Sequence, residues 1–185
     1  MKVRRLIIGL DPVPRRWALI EEAVAAAGRM EAELIALFVE NAALLDFAQL
    51  PFAREVGAVS AARRALDAQA MERSLRAMAG EARRMLEAAA GRSSVRWSFR
   101  VARGSLVEVL LAEAGEEDLV IATAGHPAEH GRAWKARVVH LDDPEQALAA
   151  LEAAGGEALV LASEDVARLR EALRRLARGQ QRDPD

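Results

Sequence analysis

The sequence predicts an α/β protein: a doubly wound, mainly parallel sheet of about six strands. Three observations carry this. Short apolar runs without polar interruption recur along the chain, at Leu6–Leu10, Glu33–Val39, Leu119–Thr123 and Ala158–Ala162. Such runs are how strands buried on both faces read. Between them lie segments with apolar residues at helical spacing, opened by prolines or capping residues and closed by glycines. The composition, 52% hydrophobic and 29% charged over 185 residues, supports a real core under a solvated surface.

The first strand, residues 4–10, ends in Asp11, and Pro12 and Pro14 follow. Pro14 suits the first turn of a helix, where its missing N–H would lack a partner anyway. That helix is expected to run to Gly28, with Leu19, Ile20, Ala23, Val24 and Ala27 on one face. Glu33–Val39 is the second strand. Asn41 caps a short helix that Pro51 interrupts. Residues 60–90 read as one long helix with a bend at Gly80 and a stop at Gly91.

Val95, Trp97, Phe99 and Val101 then alternate with Arg96, Ser98 and Arg100. One wet face marks an edge strand. Ser105 and Glu108 form a capping-box pattern for a helix that ends at Gly115. Leu119–Thr123 is a buried strand, 124–135 a loop, and Arg137–Leu141 a further strand. Asp143 and Pro144 open a helix, Gly155 and Gly156 close it, and Ala158–Ala162 is the last strand. Ser163 is expected to cap a final helix. Its inner face is Val166, Leu169, Leu173 and Leu176, and its outer face is rich in arginine.

Several function classes are disfavoured by composition. The net charge of −2 gives no global pull toward nucleic acid, and no aromatic residues interleave the arginines of the last helix. Those arginines read as a solvated face. No apolar run approaches the roughly 18 residues of a membrane span. The basic start is followed by too short an apolar run for a signal peptide, so the expected address is cytoplasmic. The absence of cysteine removes disulfides and thiolate metal ligands.

The chain divides into a core at 1–135, a C-terminal β-α-β-α unit at 136–178 and a flexible tail at 179–185. The second unit either completes the sheet or is a shortened repeat of residues 4–41. The stretches RLIIGLDPVPRRWALIEEAVAAAGRMEAELIALFVEN and RVVHLDDPEQALAALEAAGGEALVLASED share an order of strand, Leu-Asp, proline-opened helix, glycine and strand, which aligns Asp11 with Asp142.

LIIGLD, ELIALFVEN and VARGSLVEVLLAEAGEEDLVIATAG, in that order, resemble the universal stress protein family. The resemblance covers about residues 4–125 and implies a Rossmann-like sheet of the adenine-nucleotide α-hydrolase type. It implies a stress-related regulatory or binding protein without catalysis, commonly a homodimer. It further implies ATP or AMP held at the carboxyl ends of the strands. The family's nucleotide-binding positions fall on Asp11, on Val39 and on a loop of pattern Gly-x2-Gly-x9-Gly-(Ser/Thr) that starts at Gly125. Glycines there let backbone N–H groups close on phosphates. This chain keeps Gly125 and departs afterwards: Ala128 stands three residues on, the next glycine is Gly131, and no Gly-Ser or Gly-Thr follows in the loop. His126 and Gly131 join Asp11, Val39 and Gly125 as candidate cofactor-binding residues, because the loop lies at the ligand-binding edge.

Two other readings compete. His126, Glu129 and His130 spell H-x-x-E-H, an inverted zinc-protease pattern that needs both histidines on one continuous helix. Gly125 and Gly131 bracket too short a window for that helix. A metal site on His126 and His130, or a weak nucleotide hydrolase, is the enzymatic alternative. The apolar segment Leu44–Phe52 is the basis of a third reading, a protein-interaction module.

Overall fold

The computed structural model describes residues 2–48, 54–56, 63–65, 67–123, 136–141 and 143–179. Six strands form one sheet: β1 (Arg5–Leu10), β2 (Glu33–Asn41), β5 (Trp97–Gly104), β6 (Asp118–Ala122), β7 (Ala136–His140) and β8 (Ala158–Ala162). The order is β5-β2-β1-β6-β8-β7, and every pairing is parallel. The fold class expected from the sequence is therefore the one observed. β7 stands at the far edge and β8 lies inside it, against β6.

β1 is central because its side chains are apolar on both faces. Leu6, Ile8 and Leu10 point into one core with helix α1 (Leu19–Met30), α3 (Ala68–Ala90), α5 (Gln146–Ala153) and α6 (Val166–Gly179). Ile7 points to the other face, where it meets Ile35, Leu37 and Val39 of β2 and Leu110 of α4 (Leu106–Glu113). Burying a leucine or isoleucine fully is worth about 1.5–3 kcal/mol. Gly9 lies on that second face. A Cβ there would stand 2.6 Å from Leu110 Cδ1 and 2.8 Å from Leu106 Cδ1, so the glycine is what lets α4 lie directly on the strand.

Strand β5 is the edge strand its alternation predicts, with Trp97 and Phe99 half-buried; Val101, expected on the same dry face, is instead exposed. Helical boundaries differ from expectation in several places. Pro14–Ala18 is a 3-10 turn, and α1 proper begins at Leu19. α1 also continues past Gly28 to Met30. It ends where Glu31 turns left-handed (φ 55°) and Ala32 N–H bonds Ala27 O at 2.9 Å.

The long helix starts at Ala68 rather than near residue 60. Asp67 stops it there, its carboxylate accepting from the Gln69 and Ala70 N–H groups at 2.9 and 3.1 Å. Before it, β3 (Arg54–Val56) and β4 (Arg63–Ala65) pair antiparallel, where the apolar spacing predicts helix over residues 63–65. The helix runs unbroken through Gly80. Ser105 precedes α4 but makes no side-chain capping bond. Asp165, not Ser163, caps α6, accepting from Ala167 N–H at 2.8 Å.

The outer arginines of α6 are engaged with acids. Arg170 and Arg174 both donate to Glu22 of α1, and Arg175 and Arg178 reach Glu171. Those bonds hold the Glu22 carboxyl below the usual range. Trp17 is a packing residue, edge-on to Phe38 at 6.3 Å between ring centroids. No helix among the described residues is long and apolar enough to cross a membrane.

Candidate functional site

The strand order reverses between β1 and β6. The chain builds outward from β1 through β2 to β5, then returns to place β6 on the other side of β1. In open α/β sheets such a reversal leaves a crevice at the carboxyl ends of the strands. The residues just past those ends are Asp11 after β1 and Thr123 after β6.

Strand period and register bring the residues of the site together. Ile7, Gly9 and Asp11 follow each other at spacing two, as do Ile35, Leu37, Val39 and Asn41. The last β1–β2 pair is Leu10 with Phe38, so Asp11 comes one step on, alongside Val39. A cavity of about 420 Å³ opens there, within the usual range for small-ligand sites. Its floor is Asp11, Val39, Asn41, Gly104 and Thr123, from the ends of four adjacent strands. Pro12, Val13, Leu75 and Leu106 add apolar walls. Gly104 holds φ +150°, a conformation side chains disfavour, and this carries β5 around the rim into α4.

Arg16 crosses the crevice. Its Nη1 donates to Asp11 Oδ2 and, at 3.0 Å, to Thr123 O, tying the end of β1 to the end of β6. Trp17 Nε1 donates to Asp11 O at 2.9 Å, which anchors the same corner from the core side. Two side-chain oxygens remain without a partner. Asp11 Oδ1 and Thr123 Oγ1 are both buried and accept or donate no hydrogen bond among the described residues. Thr123 as a whole is 1% exposed. Burial pushes the Asp11 carboxyl above its ordinary range, an effect that the Arg16 guanidinium and the nearby backbone N–H groups of Asp11 and Val13 offset only in part. Beside the cavity, Glu40 is buried at 7% exposure and accepts from Arg103 at 3.1 Å, so that acid and that arginine serve each other.

Of the residues singled out by sequence, the structure brings Asp11 and Val39 to one cavity. Gly125, His126, His130 and Gly131 lie outside the described residues, as does Asp142. Of the apolar segment Leu44–Phe52, Leu45 is buried within helix α2 (Ala42–Ala48); residues 49–53 and the side chains of Leu44 and Phe47 lie outside the description. Among the described residues, no three His, Asp or Glu side chains gather as a metal site. Sequence reading passed over Arg16, Asn41, Gly104 and Thr123 as ligand-facing groups. The signal was available for Thr123 and Asn41, since the strand-end rule that selects Asp11 selects them too.

No protein family and no curated protein matches the sequence. Among solved structures the chain is similar to universal stress proteins. One is a universal stress protein in complex with cAMP, at 14% identity and a TM-score of 0.41, the match covering 88% of this chain and 98% of that one. Another is the universal stress protein UspA from Lactobacillus plantarum, at 15% identity and a TM-score of 0.43, with the same coverage.

Proposed function

We propose that this protein is a regulatory, non-catalytic binding protein of the universal stress protein type, and that it holds an adenine nucleoside or nucleotide in the carboxyl-edge cavity. The observation that supports this most is the pair of buried, unpartnered oxygens, Asp11 Oδ1 and Thr123 Oγ1. Leaving a buried polar group unpaired costs about 1–3 kcal/mol, and a ligand that pairs it recovers that cost. An ionised carboxylate only accepts, so Asp11 selects a donor such as a ribose hydroxyl or an exocyclic amine. The hydroxyl of Thr123 can donate or accept. The apolar lining at Pro12, Val13, Val39 and Leu106 suits the faces of a flat base. Asp11 and Val39 are also the positions on which the sequence resemblance places the nucleotide.

The ionisable groups among the described lining residues are Asp11 and Arg16, and they are bonded to each other. A general base must be free to take a proton from its substrate. The pair therefore favours recognition over hydrolysis. The homodimer expected from the resemblance belongs to the same reading, and sedimentation would give its mass.

The test is thermal unfolding with AMP, cAMP, ADP and ATP. At least one should raise the midpoint in proportion to the logarithm of its concentration, as binding to the native state requires. Asp11→Ala should abolish the shift while the unliganded variant remains folded. Absence of a shift with every adenine compound would overturn the proposal.

A further inference from the structure

We propose that Arg16 is the anion-binding residue of this cavity and sets its preference for a phosphate-bearing ligand over the bare nucleoside. The inference rests on the nucleotide reading above and specifies its ligand.

A guanidinium has five N–H donors in a planar fork. In Arg16 both internal bonds leave from Nη1, to Asp11 Oδ2 and to Thr123 O. Nε and Nη2 bond none of the described residues. The group is thereby held in place, lines the cavity, and keeps most of its donors unused. Its side chain is 24% exposed, so the group is partly open to solvent. A fixed guanidinium with spare N–H groups is suited to paired, charge-assisted bonds with phosphate oxygens.

Arg16 is the one cation among the described lining residues. The neighbouring Arg103 is engaged with Glu40. Among the described lining residues, Arg16 is therefore the group suited to meet a phosphate.

The experiment is calorimetric titration of adenosine, AMP and ATP into the wild type, Arg16→Gln and Arg16→Lys at low ionic strength. In the wild type, AMP should bind roughly tenfold tighter than adenosine, as for a charge-assisted pair. ATP, which also carries phosphate, should bind tighter than adenosine as well. In Arg16→Gln the AMP-to-adenosine ratio should fall to about one, with Arg16→Lys between. A purely structural role for Arg16 would weaken both ligands together and leave the ratio intact, which would overturn the inference. Should Arg16→Gln not fold, the wild type still decides: the preference for AMP must shrink as salt rises, and a salt-independent preference refutes the anchor. Adenosine and AMP binding with equal affinity to the wild type would remove this inference alone. Failure of every adenine compound to bind would remove the nucleotide reading as well.

Discussion

Two acid–arginine pairs join β1 to β6, one at each edge of the sheet, and they are built differently. At the amino edge Arg5 and Asp118 are register partners on adjacent strands. Asp118 is 1% exposed and its oxygens are satisfied: Arg5 donates through Nε at 2.9 Å and through Nη2, and Gly115 N–H donates at 2.8 Å. The hydrogen bond to Asp118 is the main reason the Arg5 guanidinium is held above its ordinary pKa. At the carboxyl edge Asp11 and Arg16 also pair, yet Asp11 Oδ1 and the nearby Thr123 Oγ1 are left open. The same chemistry is saturated where it closes the fold and unsaturated where a cavity opens. A buried pair that uses all its acceptors is structural; one that leaves an acceptor unpaired beside a cavity has bonding capacity to spare.

The largest effect that would break this comparison lies at the amino edge. Asp118→Ala strands the Arg5 guanidinium and the Gly115 N–H. Arg5 is 33% exposed and partly rehydrates, so the loss should sit at the low end for a broken buried pair, about 3 kcal/mol. For a domain of this size that is a fall of roughly 6–12 °C in the thermal midpoint. A change within 1–2 °C would show that the two edges are not energetically distinct.

The effect at the carboxyl edge should be smaller and carry a pH signature. Asp11→Asn should stay within about 1 kcal/mol of the wild type. The folded-state pKa of Asp11 is raised by burial. Its contribution to stability is therefore greatest below the ordinary carboxylate range and falls as pH rises through the folded pKa. Asparagine has no such titration. The variant should gain on the wild type as pH rises from acid toward neutrality, measured by denaturant unfolding at a series of pH values. A gain in the opposite direction would mean that the ion pair with Arg16 outweighs burial.

The inner strands of the six-stranded sheet were legible in the sequence because burial on both faces leaves an apolar run, as at Leu6–Leu10 and Ala158–Ala162, whereas β3 and β4 carry no such run. Asp11 and Val39 were legible because strand ends define the ligand edge. Helix starts were less so: residues 60–66 continue the apolar spacing of α3, and only the hydrogen bonds of Asp67 decide where it begins. Capping followed the same rule, with Asp165 bonding where the sequence pointed to Ser163. Arg16 was not legible at all. Its partners are five residues before it and over a hundred after it, so its role exists only once β6 lies beside β1. The position of β8 inside β7 is likewise a product of the crossovers and not of any strand's own residues.

The most direct measurement is an amide NMR titration of the full chain with AMP, which reads both edges at once. Saturable shifts should concentrate at Asp11, Val39, Asn41, Gly104 and Thr123 and be absent around Arg5, Gly115 and Asp118. Shifts confined to the amino edge, or no saturable shift anywhere, would contradict the account.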